Sequence, residues 1–285
     1  MSDSRSVEQP AQSKAPATRY LDRPQGRIAY DIVGDGDGPL VVCVPGMGSL
    51  RAVYRQLATT LAAAGNRVAT MDLRGHGDSD ATFTSYDDPA SAGDILALVA
   101  HLGGPVTLVG NSMGAAVSVL AAATEPDSVA GLVLVDPFVR DIPTSAATRL
   151  LMRAAMAGPW AGRVWISYLP KLFPTRRDAD FDRLRAAIAA SLRRPDHRRA
   201  FSATTRTSHA PAEAVLDQVR VPTLVVMGEK DPDFPDPTAE ANLVAERLGG
   251  QAVLVPAAGH YPQAEFPELV GPAVVDFMRR MATDA

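Results

Sequence analysis

Runs of apolar residues recur along the chain and alternate with segments whose apolar residues have helical spacing. The runs lack the polar–apolar alternation of a half-exposed strand, which is typical of strands buried on both faces of a parallel sheet. Strands are predicted over residues 40–44, 67–71, 106–110, 129–135, 223–227 and 252–255, and helices over 53–65, 92–102, 114–123, 239–248 and 267–281. This order predicts an α/β fold with a mostly parallel central sheet flanked by helices.

The first part of the chain has a different pattern. Residues 27–33 alternate weakly and end at Gly34-Asp35-Gly36-Asp37-Gly38-Pro39. Gly, Asp and Pro at this density are typical of a turn, so we expect an early hairpin here. Residues 1–18 are polar and lack the apolar region of a signal peptide, and we expect them to be a disordered tail.

The alternation of strands and helices stops after Pro137 and resumes near residue 215. The intervening segment has helical patterns only, with several aromatic residues and prolines. We therefore expect a helical cap (lid) over residues 137–214, inserted after the strand that ends near Asp136. The core then consists of residues 19–136 and 215–285.

The predicted cap is basic, although the formal net charge of the whole chain is only −4. Residues 140–206 contain thirteen Arg and one Lys against five Asp. We favour charge complementarity between this cap and an acidic core over contacts of Arg140 or Arg153 with an anionic group of a substrate. The composition indicates neither nucleic acid nor a membrane as a partner, and no apolar run is long enough to span a bilayer. We expect a cytoplasmic monomer or homodimer that acts on a small molecule.

The chain has a single cysteine, Cys43, which excludes an internal disulfide. Cys43 lies in a predicted strand, where a thiol is more often a small buried side chain than a nucleophile. No group of Cys and His residues has the spacing of metal ligands, so we expect neither a metal nor a cofactor.

The motif Gly110-Asn111-Ser112-Met113-Gly114 lies where a predicted strand meets a predicted helix. Gly-x-Ser-x-Gly in this context is typical of a nucleophile elbow, a sharp turn that lifts the serine hydroxyl above the sheet. A side chain at either glycine would hold the helix away from the strand. The first N–H groups of that helix lie beside Ser112 and can hold a developing negative charge.

A serine nucleophile needs a histidine that takes its proton and an acid that orients the histidine. His260 follows the last predicted strand and is the best candidate among the five histidines, whereas His76 lies in a Gly–Asp turn and is better explained by bonds to the loop backbone. Asp231 is the preferred acid, with Asp233 and Asp136 as alternatives. These residues follow strand ends, which places them at one edge of a parallel sheet.

With these motifs, the chain resembles the α/β-hydrolase superfamily over about residues 19–281. The resemblance is carried by residues 72–79 (Asp-Leu-Arg-Gly-His-Gly-Asp-Ser), the elbow, the loop 228–235 with Asp231, and residues 259–267 with His260. It implies an oxyanion hole formed by the backbone N–H groups of Met47 and Met113. The family commonly has His where this chain has Pro45. Proline lacks only its own backbone N–H, so the oxyanion hole can still form. The histidine ring that usually fixes this loop is missing.

The expected function is that of a serine hydrolase acting on an ester, thioester or lactone of a small to medium, mainly apolar molecule. Ser112 would attack the carbonyl carbon, with His260 as general base and Asp231 orienting it. The resemblance also allows a carbon–carbon bond hydrolase, or a perhydrolase or haloperoxidase-like enzyme, on the same three residues. An acyltransferase and a non-catalytic ligand receptor are less favoured. Serine at 112 argues against epoxide hydrolases and haloalkane dehalogenases, which resemble this chain but have Asp there.

Overall fold

The computed structural model describes residues 16–34, 36–177 and 179–284, with the backbone only for residues 179 and 284. Most of the predicted tail, residues 1–15, lies outside the described residues. Residues 16–18 precede the first strand without regular secondary structure.

The described residues form one eight-stranded sheet in the order β1-β2-β4-β3-β5-β6-β7-β8. Its strands are β1 (Arg19–Arg23), β2 (Gly26–Val33), β3 (Leu40–Val44), β4 (Arg67–Met71), β5 (Val106–Asn111), β6 (Val129–Val135), β7 (Thr223–Gly228) and β8 (Gln251–Val255). Strand β2 pairs antiparallel with β1 and β4, and all other pairs are parallel. The predicted mostly parallel sheet is confirmed.

Helices cover both faces of this sheet. They are α1 (Arg55–Ala63), α2 (Asp88–Leu102), α3 (Met113–Thr124), α4 (Ala146–Ala155), α5 (Ala161–Tyr168), α6 (Ala179–Arg193), α7 (Pro195–Thr204), α8 (Ala210–Glu213), α9 (Pro237–Arg247), α10 (Pro262–Glu265) and α11 (Pro267–Asp284). Because side chains alternate along a strand, Val42 and Val44 of β3 join the core under α2, α3 and α9, whereas Val41 and Cys43 join the core under α1 and α11. Cys43 is fully buried, as expected.

The parallel strands end at the same level of the sheet. Val44 of β3 pairs with Gly110 of β5, and Asn111 pairs with Val135 of β6. Each of these strands is followed directly by a loop or turn that carries a predicted site residue. The register therefore brings the ends of β3, β5 and β6 together at one edge.

The segment between β6 and β7 contains α4 to α8. Apolar side chains of α5, α6 and α7, such as Trp165, Ile188 and Phe201, join the core under α1 and α11. The basic segment also forms ion pairs with the rest of the chain, and Arg176 contacts Glu268 of α11 at 2.6 Å. The division into a core and a cap stays a prediction. Within the described ranges, no helix has both the length and the apolar character needed to cross a membrane.

The predicted early hairpin is wrong in its pairing. The turn at residues 34–39 joins β2 to β3, but β4 lies between these two strands in the sheet. The hairpin at this end of the chain consists of β1 and β2, with Arg23 paired to Gly26. Strand β1 has the sequence Arg-Tyr-Leu-Asp-Arg and lies at the sheet edge, so it has no apolar run that would reveal it.

Candidate active site

Ser112 connects β5 to α3 in a strained backbone conformation, with φ +57° and ψ −124°. Such a conformation costs about 1–3 kcal/mol for a residue with a side chain. Both neighbouring glycines are required, since a Cβ on Gly110 would lie 2.3 Å from the carbonyl oxygen of Gly114, and a Cβ on Gly114 would lie 2.2 Å from that of Val44. The turn therefore holds a partly exposed serine at the end of β5.

The structure joins His260 directly to Asp231, with 2.6 Å between Nδ1 and Oδ2. An ionised carboxylate only accepts hydrogen bonds, so this contact places the proton of neutral His260 on Nδ1 and leaves Nε2 free to act as a base. The other carboxylate oxygen, Oδ1 of Asp231, accepts the backbone N–H of Asp233 at 2.9 Å. The exposed fractions of Asp231 and His260 are 3% and 2%, so the pair is shielded from water.

Opposing effects determine the pKa of His260. Burial lowers it, but the charge of Asp231, the hydrogen bond to that carboxylate and the charge of Asp233 together outweigh burial, so the pKa is raised above its ordinary value. Burial also raises the pKa of Asp233, whose carboxylate accepts a hydrogen bond from the hydroxyl of Tyr168. The imidazole of His260 is consequently a stronger base than free histidine.

Ser112 and His260 lie at the same edge of the sheet and are linked through their neighbours. The side-chain amide of Asn111 donates to the carbonyl oxygen of His260 at 3.0 Å. The backbone N–H of Phe138 donates to the carbonyl oxygen of Ser112 at 3.3 Å, and the Phe138 ring lies 5.8 Å from the His260 ring. Among the described residues, the Ser112 hydroxyl has no hydrogen bond to His260. Such bonds often tighten only in the complex with substrate.

The loop that carries His260 is fixed from the side of the predicted cap. The backbone N–H of His260 donates to the carbonyl oxygen of Leu172 at 3.0 Å. The buried Glu265 accepts the N–H of Gly259 at 2.6 Å with one oxygen and the N–H of Thr175 at 3.1 Å with the other. The chain between α5 and α6 therefore helps to set the position of His260.

The loop at residues 45–48 passes beside Ser112. A Cβ on Gly46 would lie 2.7 Å from Cβ of Ser112, so this close approach requires glycine. Met113 begins α3, where the first N–H groups of a helix have no intrahelical acceptor. These positions are compatible with the oxyanion hole predicted from Met47 and Met113, which stays a prediction.

Two rings, those of His76 and Trp165, hold the loop that begins with Pro45. The N–H of Gly48 donates to Nε2 of His76 at 3.1 Å, and the carbonyl oxygen of Gly48 accepts the indole N–H of Trp165 at 2.8 Å. Sequence reasoning missed Trp165, because 117 positions separate it from Gly48 and no local pattern connects them.

His76 bonds backbone groups, as its sequence context indicates. Its Nδ1 lies 3.0 Å from the carbonyl oxygen of Arg74, so Nδ1 carries the proton and Nε2 accepts the N–H of Gly48. Burial lowers the pKa of His76 to about 4, and the ring is neutral at physiological pH. The residue was expected to bond its own loop, and the structure adds the loop beside Ser112.

The remaining candidates have other surroundings. Arg140 forms a two-pronged ion pair with Glu240 of α9, with 2.9 Å between Nε and Oε1. Arg153 is exposed on α4. Asp136, the alternative acid after β6, is fully buried and lies beside the Asp231–His260 pair without replacing Asp231 in it.

Comparisons with known proteins agree with this fold. Residues 41–273 match the profile described as "Alpha/beta hydrolase family". The chain is 32% identical over 261 residues to 2-(acetamidomethylene)succinate hydrolase of Mesorhizobium japonicum, covering 89% of this chain and 92% of that protein. It is 30% identical over 246 residues to pimeloyl-[acyl-carrier protein] methyl ester esterase of Neisseria meningitidis, covering 84% of this chain and 92% of that protein.

Solved structures show the same similarity. A hydrolase from Pseudomonas aeruginosa superposes with a TM-score of 0.79 at 25% identity, covering 93% of this chain and 99% of that chain. A thermophilic esterase from Thermogutta terrifontis superposes with a TM-score of 0.76 at 26% identity, covering 94% of this chain and 99% of that chain. With the elbow, the parallel sheet and these matches together, the chain belongs to the α/β hydrolase family and is an α/β-fold hydrolase.

Proposed function

We propose that this hydrolase cleaves an ester, thioester or lactone of a small to medium, mainly apolar substrate through an acyl-enzyme on Ser112. The observation that carries the proposal is the buried 2.6 Å hydrogen bond between Asp231 and His260 at the sheet edge that also holds Ser112. A hydroxyl becomes an effective nucleophile only when a base takes its proton, and the raised pKa of His260 suits that base.

In the proposed reaction, Oγ of Ser112 attacks the carbonyl carbon while Nε2 of His260 takes the hydroxyl proton. Asp231 fixes the ring and stabilises the imidazolium. The backbone N–H groups of Met47 and Met113 donate to the oxygen of the tetrahedral intermediate. His260 then gives the proton to the leaving group, and a water molecule that loses its proton to His260 hydrolyses the acyl-enzyme.

The surroundings of the reacting atoms favour an apolar acyl or alcohol group. Met47 and Phe138 are partly exposed, the backbone N–H of Phe138 donates to the carbonyl oxygen of Ser112, and the Phe138 ring lies 4.5 Å from the ring of Phe234. Arg140 is paired with Glu240, so we do not assign it to a substrate anion. The name of the Neisseria relative specifies a methyl ester, which agrees with ester cleavage.

Labelling with a fluorophosphonate probe tests the nucleophile. Wild type should be labelled, Ser112→Ala should not, and His260→Ala should be labelled far more slowly. Ser118→Ala is the matched control, because Ser118 lies on the same helix and its hydroxyl only bonds the carbonyl oxygen of Gly114 at 2.7 Å. Equal labelling of wild type and Ser112→Ala would refute the assignment of Ser112.

Turnover of p-nitrophenyl acetate, butyrate and octanoate, of a simple acyl thioester and of a simple lactone tests the substrate class. Hydrolysis of at least one of these, lost in Ser112→Ala, supports the proposal. Labelling of Ser112 without turnover of any ester, thioester or lactone would refute the proposed substrate class and leave the nucleophile standing.

A further inference from the structure

A second buried carboxyl group, that of Asp136, lies beside the pair formed by Asp231 and His260. One side-chain oxygen or nitrogen atom from each of these three residues lies within 4.8 Å of the other two. Their exposed fractions are 0%, 3% and 2%, so bulk water does not reach the cluster freely. The reaction proposed above uses His260 and Asp231 and assigns no role to Asp136.

The backbone holds Asp136 at this place against a conformational cost. Its φ is +43°, and among the described residues only Ser112 and Asp136 have a positive φ without being glycine. The N–H of Asp136 donates to the carbonyl oxygen of Val226 at 2.8 Å, and its Oδ1 accepts the N–H of Gly228 at 3.0 Å. Strain of this kind persists only where the surroundings fix it, and it concentrates at functional sites.

The second oxygen of Asp136 has no ordinary donor. Within the described part of the chain, Oδ2 is buried and finds no N–H or hydroxyl group. A buried negative charge without donors is costly, and a second carboxylate beside it raises the cost further. A protonated carboxyl group, in contrast, is itself a donor, and the carboxylate of Asp231 is an acceptor with an oxygen within 4.8 Å.

The charges around the cluster favour the protonated form. Burial raises the pKa of Asp136 and the charge of Asp231 raises it further, whereas the N–H of Gly228 lowers it. The other ionisable groups that act on this cluster, besides His260, are acids and phenols: Asp233, Glu265, Tyr168 and Tyr261.

We propose that Asp136 is a neutral carboxylic acid that donates a hydrogen bond to Asp231 and thereby positions that carboxylate for His260. The inference rests on the proposed function, since it concerns how the acid of that site is held. Asp136 is a positioning residue, because it acts through Asp231 and touches no reacting atom. Its proton partly offsets the charge of Asp231 and so limits how strongly that carboxylate raises the pKa of His260.

Asp136→Asn separates this arrangement from one with two charged carboxylates. The amide keeps both an acceptor for the N–H of Gly228 and a donor for Asp231. Asp236→Asn is the matched control, because it makes the same change at an exposed helix cap in the same region, where Asn caps equally well. Asp136→Ala removes donor and acceptor together.

The first readout is independent of activity. In an infrared difference spectrum of wild type minus Asp136→Asn at neutral pH, the carbonyl stretch of a protonated carboxylic acid is expected, and it should be absent from the difference for Asp236→Asn. If the band is absent from the first difference, Asp136 is ionised and the proposal is overturned, whether a cation or a water network holds the charge.

The second readout is the pKa of His260, followed by proton NMR of the low-field Nδ1 proton and by the acidic limb of kcat/KM. Asp136→Asn should leave this pKa within about 0.3 units of wild type, because no charge is removed. Asp136→Ala should raise it and lower kcat about tenfold, because Asp231 loses a donor. A fall of about one unit or more in Asp136→Asn would show that a negative charge had been removed, and would overturn the proposal.

These outcomes are distinguishable from failure of the proposed function. If wild type is neither labelled by fluorophosphonate nor active on esters, the proposed function fails, while the infrared band and the NMR titration still report the proton on Asp136. If labelling and turnover are normal but the infrared band is missing, the proposed function is supported and the proposed proton on Asp136 is refuted.

Discussion

Trp165→Phe tests whether the predicted cap supports the loop beside Ser112. In wild type the indole N–H donates to the buried carbonyl oxygen of Gly48 at 2.8 Å, and the exposed fraction of Trp165 is 6%. Phenylalanine keeps an aromatic ring against Phe201 but removes the donor. The carbonyl oxygen of Gly48 then loses its partner, and the neighbouring N–H of Met47 loses part of its support.

The size of the effect follows from that one hydrogen bond. Leaving a buried carbonyl group without a donor costs about 1–3 kcal/mol. If the whole cost appears in the transition state, kcat falls about 5- to 150-fold, since about 1.4 kcal/mol corresponds to a factor of ten. KM should change much less, because the N–H of Met47 is proposed to bind the oxygen of the tetrahedral intermediate and not the substrate.

The assay is steady-state hydrolysis of the best p-nitrophenyl ester, with thermal unfolding measured in parallel. Trp160→Phe is the matched control, because the Trp160 indole also donates to a backbone carbonyl oxygen, that of Ala154 at 3.0 Å, but its exposed fraction is 51%. Its kcat should stay close to wild type. Wild-type kcat in Trp165→Phe, together with a lowered melting temperature, would refute the reasoning, since the bond would then stabilise the fold without supporting the reaction.

Three further predictions concern the pair, the elbow and the neutral histidine. Asp231→Asn should lower kcat about 10,000-fold, because the amide favours the wrong tautomer of His260. Because the pKa of His260 is raised, wild-type kcat/KM should rise with pH through a midpoint above about 6.5. A lower midpoint would contradict the contribution of Asp231. Gly114→Ala should abolish the native elbow, because its Cβ would lie 2.2 Å from a backbone oxygen. Gly93→Ala in α2 should instead raise the free energy of unfolding by about 0.5–1 kcal/mol. Equal melting temperatures of the two variants would contradict the requirement for glycine at 114. The pKa of His76 is about 4 when folded and about 6.5 when unfolded, so the unfolded chain binds the extra proton first and stability falls as the pH drops through that interval. Between pH 7 and pH 4, the free energy of unfolding measured in urea should fall by about 3 kcal/mol less in His76→Gln than in wild type. An equal fall in both proteins would show that His76 is not buried in its neutral form.

The sequence by itself determined the features that depend on neighbouring residues. Strands β3 to β8 follow from apolar runs, because the strands of a parallel sheet that is covered by helices carry mostly apolar side chains. The elbow follows from Gly110, Ser112 and Gly114, because only glycine allows the helix and strand to approach so closely. His260 could be singled out because it follows the last strand. These properties are local, and their physical causes are readable from a few consecutive residues.

The tertiary structure decided the features that depend on residues far apart in the chain. Asp231, Asp233 and Asp136 all follow strand ends, and the sequence favours Asp231 without showing which of them contacts His260. The hydrogen bond between Asp231 and His260, 29 positions apart, shows this contact. The hairpin was misassigned because β1 has no apolar run and β4 lies between β2 and β3.

The contact of Trp165 with Gly48 could not be predicted from the sequence for the same reason. Nothing near it indicates a carbonyl oxygen 117 positions away. The proton proposed for Asp136 likewise depends on burial and on a second carboxyl group brought close by the sheet register, and neither is a property of residues 135–137 alone. Hydrophobic periodicity acts within one element, whereas protonation, ring contacts and strand order depend on which elements the fold packs together.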